Sequence, residues 1–432
     1  MLSRKANHIN SFQIFQVLKY SGQVLINILL AKTTLSTTDL GRFEFFLFIA
    51  SSISFFWVTG IMQGLLSIYP KSIKTKPKES SLLFNSAILL LSISTLALLI
   101  ILFFLEYSNA NLDINQKNLL LIYLLINPVG FLSEYILLLK KKFKELIAFG
   151  IVTFLTPCLL ISLPAFSGLD LNFSFYGLIS WALLKLLYTS KLISQNSNLA
   201  INRKEIMSLL INALPLIGTA LLVGSAAYID GYIITSRYDA ETFAVFRYGA
   251  KEFPLFLIIA SSFSNSMVPL IAEKGNLSNA LVIIKENSRK MMHWFFPIAI
   301  VFLLTSQYLF PLVFNPTFGE SYKVFDIYLL LIVSRFVFPQ SVLMGLGRHK
   351  AMLWISIGEL AVNITASLLL MKYFGYLGVA YGTVVAYLFE KALLTVFVSK
   401  KIKITTKSYV ALKELIFYSI IIFVVFVVKH FL

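Results

Sequence analysis

Apolar segments long enough to cross a membrane are the feature that most constrains this chain. They recur from Phe12 nearly to the C-terminus, and the breaks between them carry the turn-forming residues and most of the charge. The chain is 58% hydrophobic and 13% charged, whereas a soluble domain carries about 25% charged residues. This surplus of apolar surface predicts an all-α polytopic membrane protein with no soluble domain between its spans.

The breaks divide the chain into two series of six spans and one further span. The first series covers residues 12–34, 42–69, 82–105, 118–139, 145–165 and 174–194. The second covers 206–235, 243–271, 291–314, 323–346, 351–371 and 378–399, and the last span covers 409–430. We therefore expect about 12–13 transmembrane helices, with an N-terminal six-helix bundle over 1–200, a C-terminal six-helix bundle over 201–400 and an additional helix in 401–432.

A short internal similarity links the two series. Residues 47–54 read LFIASSIS and residues 257–264 read LIIASSFS, and each octet precedes a basic break. Units with an even number of helices keep the same orientation in the membrane, so the bundles are expected to be parallel repeats. A cleft between the two bundles follows from this arrangement.

Basic residues cluster at every second break, which predicts the orientation of the chain. The clusters include 140–144, 203–204, 348–350 and 400–407. By the positive-inside rule these breaks, and the N-terminus, are cytoplasmic. The opposite breaks, such as 106–117 and 315–320, are too short to hold an external catalytic domain.

Several classes of function are disfavoured by the same features. The formal net charge of +17 sits in the loop clusters, where membrane orientation explains it, so we expect no nucleic-acid partner. Cys158 lies alone in an apolar run and cannot build a disulfide or a thiolate site, and we expect no metal and no cofactor. The four histidines are scattered near span ends, which argues against an enzyme: His8, His293, His349 and His430.

The first helix carries a polar stripe through most of its depth. Its members recur at steps of three and four residues, so they share one helix face: Gln16, Lys19, Gln23 and Asn27. A charged side chain at the centre of a membrane helix costs about 2.5–3.5 kcal/mol on insertion scales. This face is therefore expected to point at protein or water and not at lipid.

Two more helices are predicted to line the same cavity. The eighth helix carries Arg247, Lys251, Pro254, Ser261 and Asn265 on one face. The seventh carries Asn212, Thr219 and Asp230 within about twenty degrees of one another at a hundred degrees per residue.

The intramembrane charges fall into three groups. Lys19, Arg247, Lys251 and Arg335 lie well inside spans and are assigned to substrate binding. For Asp230, Glu134 and Glu359 two readings stay open, either as counter-ions to those cations or as sites that couple transport to a proton or sodium ion. The others lie near span ends or beside an opposite charge and are interpreted as structural: Lys185, Asp326, Lys372, Glu390 and Lys391.

Cations in a cavity predict an anionic cargo, because desolvated Arg and Lys bind phosphate strongly. An exporter of organic cations would be expected to carry carboxylates with few basic partners instead. The sequence thus favours a transporter of a phosphate-bearing substrate.

Five short motifs, taken in order and spacing, resemble those of a known family. They are 40–43 (LGRF), 229–232 (IDGY), 246–252 (FRYGAKE), 345–348 (GLGR) and 378–382 (GVAYG). With the two six-helix sets, they make the chain similar to the polysaccharide flippases, O-antigen flippases included, of the multidrug/oligosaccharidyl-lipid/polysaccharide exporter superfamily. The resemblance spans nearly the whole chain.

The resemblance implies two V-shaped bundles around a cationic cavity and alternating access in the bacterial inner membrane. The implied substrate is an undecaprenyl-pyrophosphate-linked oligosaccharide for O-antigen or another surface polysaccharide. Of the proposed cations, the resemblance covers Arg247 and Lys251, at the entry to the eighth helix. It also implies membrane lipids, a coupling ion and a glycan polymerase or ligase as partners, and we expect a monomer.

Two other functions remain as alternatives. An ion-coupled multidrug exporter would share the architecture, although the cationic stripes disfavour it. A membrane-embedded glycan polymerase or acyltransferase would ordinarily bring a large external loop or clustered histidines and acidic residues, which this sequence does not show.

Overall fold

The computed structural model describes residues 2–75, 80–107, 112–250, 254–273 and 277–431. All regular secondary structure in these ranges is helical. Ten of the helices there are long and apolar enough to cross a membrane, or eleven if the bent pair Ser321–Arg335 and Pro339–Gly345 forms one span. The prediction of an all-α polytopic membrane protein is confirmed.

The chain forms two compact units. Unit 1 comprises Met1–Tyr228 with Asp239–Glu241, and unit 2 comprises Ile229–Tyr238 with Thr242–Leu432. The helices up to the end of the seventh span are α1 (Leu2–Ala31), α2 (Thr37–Thr75), α3 (Leu82–Tyr107), α4 (Ile114–Gly130), α5 (Leu132–Leu139), α6 (Phe143–Phe166), α7 (Leu171–Asn196), α8 (Arg203–Gly224) and α9 (Ala226–Arg237).

The remaining helices continue in the same order. They are α10 (Ala240–Gly249), α11 (Pro254–Ala272), α12 (Leu277–Val313), α13 (Ser321–Leu329), α14 (Ile332–Arg335), α15 (Pro339–Gly345), α16 (His349–Phe374), α17 (Tyr376–Lys401), α18 (Thr406–Tyr409) and α19 (Leu412–Phe431).

The boundary between the units lies later than the predicted residue 200, because α8 packs in unit 1. Gly60 and Gly64, one turn apart on α2, let the two helices approach closely. A Cβ added at Gly64 would lie 3.2 Å from the Cβ of Ala213 on α8. The seventh span is also interrupted at Ser225, so α9 belongs mainly to unit 2.

Besides the seventh span, the fourth and the tenth spans were also predicted as continuous helices and are broken. The fourth consists of α4 and α5 and is interrupted at Phe131, three residues after Pro128. At the interruption the N–H of Phe131 donates to the carbonyl of Pro128, three residues back, at 3.3 Å, which is the tighter hydrogen bond of a 3₁₀ turn. The tenth is divided into α13, α14 and α15, and its second break, at 336–338, directly precedes Pro339.

The turns that follow these two broken spans have the same backbone geometry. Lys141 and Gly347 both adopt a left-handed conformation, with φ of 60° and 70°. In each turn the next amide donates to the carbonyl five residues back, Lys142 to Leu137 at 2.9 Å and Arg348 to Leu343 at 2.8 Å. Left-handed residues with this bond are the Schellman ending of a helix. The match supports the predicted internal repeat more directly than the two octets do.

The last long helix, α19, is tied to unit 2 near its C-terminal end. The ammonium of Lys429 lies 2.6 Å from the buried carboxylate of Asp326, which also accepts a hydrogen bond from Ser306 at 2.6 Å. His430 contacts the same carboxylate at 2.8 Å. These contacts agree with the structural role that the sequence gave Asp326.

Candidate functional site

The polar stripe of α1 is held at two points by carboxylates of unit 1. The α1 helix packs on α6 through Phe15 and Phe149, whose rings stack 5.9 Å apart, and Lys19 lies beside this contact with its ammonium 5.9 Å from the centre of the Phe15 ring. The ammonium of Lys19 pairs with Glu134 at 3.2 Å, with the two side chains 24% and 6% exposed. Glu134 is thus the counter-ion of Lys19, which is one of the two readings that the sequence left open.

The other end of the stripe is bound to α2. The buried Asn27 donates to Glu44 at 2.8 Å. Gln23 lies between the two contacts and is exposed. Gln16 lies before Lys19 and is half-buried. Within unit 1 the stripe therefore presents a partly exposed lysine and an exposed amide at membrane depth.

Lys185 belongs to the same cluster, although the sequence placed it among the structural charges. Its ammonium donates to the side-chain oxygen of Asn127 at 2.7 Å. It lies 5.0 Å from the centre of the Phe131 ring, and the Lys19 ammonium lies 4.4 Å from the same ring. The break after α4 thus presents an aromatic face to two cations.

Sequence reasoning placed Lys185 among the structural charges, although it lies near the middle of the predicted span 174–194 and of α7. The structure instead directs its side chain to α4, where the small Gly130 lets the two helices approach. A Cβ added at Gly130 would lie 3.1 Å from the Cβ of Lys185. The signal in the sequence was the Asn127-Pro128 pair, which carries a polar acceptor and a helix break.

The α8 helix has three distinct faces. Leu209 and Ala213 are fully buried, whereas Asn212 and Thr219 are exposed on another face. Both polar side chains donate to carbonyls of their own helix, Asn212 to Ser208 at 2.7 Å and Thr219 to Pro215 at 2.9 Å. The third face exposes large apolar side chains, namely Met207, Ile211, Leu214 and Leu221.

Asp230 does not continue the stripe of Asn212 and Thr219. The helix is interrupted at Ser225, between α8 and α9. Asp230 lies after this interruption and is buried in unit 2. The hydroxyl of Thr383 lies 2.7 Å and 2.6 Å from the two carboxylate oxygens of Asp230, and the hydroxyl of Tyr328 also donates to this carboxylate. The three residues come from α9, α13 and α17, so Asp230 links three helices of unit 2.

The predicted cations of unit 2 lie near carboxylates. Arg247 on α10 is an electrostatic neighbour of Asp230. Arg335 ends α14, and its guanidinium lies 4.7 Å from the ring centre of Tyr387. Lys251 lies outside the described residues, as does the side chain of Asn265, while Ser261 is exposed.

Glu359 is buried on α16 together with Asn363, one turn further along. Glu359 Oε1 and Asn363 Nδ2 make no hydrogen bond to the described protein groups. The charged neighbours of Glu359 are Glu390, Asp230, Lys391 and Arg335. Unit 2 therefore contains a mixed network of acids and cations, and Arg335 and Glu359 are parts of it.

Lys391 has the same arrangement as Lys185. It donates to the side-chain oxygen of Gln340 and lies 3.9 Å from Glu390. The number of residues from Lys185 to Lys391 equals the number from the turn at 140–142 to the turn at 346–348. Each unit therefore keeps one lysine tied to an amide of its own broken span.

The charges of the unit 1 cluster suit the binding of an anion. Among the described residues, no group of three or more His, Cys, Asp or Glu side chains is arranged to hold a metal ion. In unit 1, Lys19 and Lys185 outnumber the one carboxylate in their cluster, Glu134. Lysines at low dielectric are strong partners for phosphate.

Comparison with known proteins identifies the fold. The structure of the lipid II flippase MurJ in an inward closed conformation aligns with a TM-score of 0.73 at 16% identity, covering 97% of this chain and 93% of MurJ. An inward-facing multidrug resistance MATE family transporter of the MOP superfamily aligns at 0.66 with 14% identity, covering 89% of this chain and 94% of the transporter. This chain shares the fold of these membrane transporters.

A third structure with this fold is a MOP superfamily transporter from Pyrococcus furiosus, described by the reverse polarity of its binding pocket. It aligns with a TM-score of 0.61 at 13% identity, covering 93% of this chain and 95% of the transporter. No protein-family model matches the sequence, and no curated protein matches it. At these identities the comparisons establish the fold. The substrate has to be inferred from the chemistry of the site.

Proposed function

We propose that this chain is a flippase that moves an undecaprenyl-pyrophosphate-linked oligosaccharide across the bacterial inner membrane by alternating access, for O-antigen or another surface polysaccharide. The observation that carries the proposal is the cationic cluster of unit 1, where the partly exposed Lys19 continues a polar stripe at membrane depth. A diphosphate provides the negative charge that such a site favours, and the polyprenyl tail needs no polar contact because it stays in lipid.

The fold supports the same class of function. The MurJ structure that aligns with this chain is a lipid II flippase, so the shared architecture is known to handle a lipid-borne cargo. Repeats of this kind work by rocking two bundles about a midplane site. We propose that Lys19, Arg247, Lys251 and Arg335 hold the diphosphate and that the polar groups of α1, α8 and α11 contact the sugars.

Unit 2 supplies candidates for the coupling ion. Asp230 accepts hydroxyl hydrogen bonds from two other helices, and Glu359 and Asn363 keep buried polar atoms that make no hydrogen bond to the part of the chain that the structure describes. Buried acids at membrane depth are costly and are characteristic of ion-coupled carriers. We propose that Asp230, with Glu359 nearby, binds a proton or sodium ion during the cycle.

The flippase proposal is tested by complementation of a strain that lacks this gene. Lys19→Ala is expected to lower surface glycan about tenfold or more, because it removes a charge contact to the diphosphate and leaves Glu134 without its partner. Lys19→Arg is expected to retain most of the glycan. Lys142→Ala is the matched control, because Lys142 pairs with Glu145 at 3.0 Å on an exposed surface.

Wild-type glycan in the Lys19→Ala strain, at a normal level of folded protein, would remove Lys19 from the mechanism. The MATE fold supports one alternative, an ion-coupled multidrug exporter. A deletion strain that keeps its surface glycan and becomes sensitive to several drugs would establish that alternative in place of the flippase.

A further inference from the structure

Three charged side chains converge at the break in the fourth span of unit 1. Lys19 and Lys185 reach this point from α1 and α7, and Glu134 reaches it from the first turn of α5. Both ammonium groups lie over the ring of Phe131, and Lys185 interacts electrostatically with both Lys19 and Glu134. The Glu134 carboxylate is thus paired with Lys19 and is an electrostatic neighbour of Lys185.

The two lysines are held in different ways. Lys185 is fixed by Asn127 at 2.7 Å and by the close approach of its stem to Gly130. Thr189, one turn along α7, also donates to the carbonyl of Gly130 at 3.4 Å, which secures the same helix contact. Lys19 is partly exposed, and its ammonium contacts both carboxylate oxygens of Glu134, at 3.3 Å and 3.2 Å. Lys19 is thus the cation that an incoming anion can reach.

Removing Lys19 from Glu134 has a consequence for the carboxylate. Glu134 is 6% exposed, and a buried charge that loses its partner is strongly destabilising. A second cation within reach of the same carboxylate removes that penalty. Lys185 is placed to be this second cation.

We propose that Glu134 exchanges between the two lysines during loading. In the empty site the carboxylate of Glu134 pairs with the ammonium of Lys19, where a phosphate would otherwise bind. When the diphosphate of the cargo binds Lys19, Glu134 moves to Lys185, which Asn127 has held in position. Lys185 is a positioning residue that does not touch the cargo. This inference rests on the flippase function proposed above.

The exchange predicts a particular dependence between two substitutions. Glu134→Gln removes the competing charge, so a diphosphate should bind Lys19 more tightly than in the wild type. Lys185→Met removes the cation that would pair with the displaced carboxylate of Glu134. Binding of the diphosphate should therefore weaken only when Glu134 is present. The effects of the two substitutions should therefore be strongly non-additive.

The experiment measures the affinity of the purified full-length protein in lipid nanodiscs for geranylgeranyl diphosphate, by calorimetry. Lys185→Met is expected to weaken binding about tenfold in the wild-type background, which lies within the usual range of coupling between sites. In the Glu134→Gln background the same substitution should change the affinity less than about twofold. Lys391→Met is the matched control, because it removes an amide-bound lysine from unit 2 and should show no dependence on Glu134.

Each other result contradicts the exchange. Equal weakening by Lys185→Met in both backgrounds would mean that Lys185 contacts the diphosphate directly, and unchanged binding in both would leave it a structural role. If Lys185→Met does not fold, Asn127→Ala loosens Lys185 while keeping both lysines, and a smaller weakening that vanishes with Glu134→Gln is expected. No binding by the wild type would instead overturn the proposed cargo, a result distinct from loss of coupling.

Discussion

Asp230 is the acidic residue whose surroundings best suit a change of charge. Its carboxylate accepts from Thr383 at 2.7 Å and 2.6 Å and from Tyr328, and Arg247 is its charged neighbour. Hydroxyl donors stabilise a carboxylate, yet they remain compatible with a neutral carboxyl because a hydroxyl also accepts. Its contacts to α13 and α17 are therefore compatible with the ion-coupling role proposed above.

At the residue scale we predict that Asp230→Asn uncouples transport from its ion. The amide keeps the size and one acceptor of the carboxylate, but it takes up no proton near neutral pH and lacks the negative charge that attracts a sodium ion. In proteoliposomes, an imposed proton or sodium gradient should accelerate cargo movement by the wild type and leave the variant at its basal rate.

Asp170→Asn is the control for this measurement, because Asp170 caps α7 from an exposed loop and Asn is an equally good N-cap. A variant Asp230→Asn that responds to the gradient as fully as the wild type would exclude Asp230 from coupling.

Individual side-chain partners are the part of the site that the sequence could not supply. The stripe of α1 follows from helical periodicity, and the structure places Lys19, Gln23 and Asn27 along it as expected. The identity of the partner depends on tertiary packing instead. The sequence favoured a structural role for Lys185. Its contacts to Asn127 and Gly130 depend on the packing of α7 against α4, which the sequence does not give.

At the element scale, α16 and α17 form the closest helix pair of unit 2 through two glycines on α17. A Cβ added at Gly378 would meet the backbone of Leu370, and one added at Gly382 would meet the backbone amide and Cα of Ser367. Small residues one turn apart allow membrane helices to pack at backbone contact. This pair carries both Thr383 and Glu359, so its packing positions the acidic groups of unit 2.

We predict that Gly382→Ala destabilises the protein by about 1–3 kcal/mol, the usual cost of adding a methyl group to a filled site. The expected result is a lower midpoint of thermal unfolding in detergent. Gly358→Ala is the control, because the nearest atom to its added Cβ is a ring carbon of Phe389 at 3.8 Å. It should leave the midpoint unchanged or raise it, since alanine favours a helix by about 1 kcal/mol.

Equal midpoints for Gly382→Ala and Gly358→Ala would show that α16 and α17 do not pack as closely as described.

Helix positions were predictable from the sequence, whereas the helix breaks were not. Apolar runs of membrane length locate the spans because lipid leaves no other way to satisfy the backbone. A proline such as Pro128 is tolerated inside a membrane helix, so its presence does not tell whether the helix continues. The breaks at Phe131 and at 336–338 therefore could not be located from the sequence.

At the scale of the whole molecule, the repeat is supported by backbone geometry and by chemistry. The turns at 140–142 and 346–348 share their hydrogen bonds, and Lys185 and Lys391 share an amide-bound arrangement. The acids around them differ. Glu134 of unit 1 and Gln340 of unit 2 are separated along the chain by the same number of residues as Lys185 and Lys391, so an acid in unit 1 corresponds to an amide in unit 2. The two units therefore carry different charge networks, one in which lysines outnumber the carboxylate and one in which acids and cations are mixed.

The orientation of this plan gives the last prediction, which concerns the two ends of α7. Basic loops at 140–144 and 203–204 predict that Asn198 is cytoplasmic and Ser167 is on the opposite side. Both residues are exposed, and the native Cys158 is buried and can be replaced by Ala. In that background an impermeant maleimide should label Ser167→Cys in intact cells and Asn198→Cys only in inverted vesicles. The reverse pattern would place the N-terminus outside, and with it the loading side of the proposed cycle.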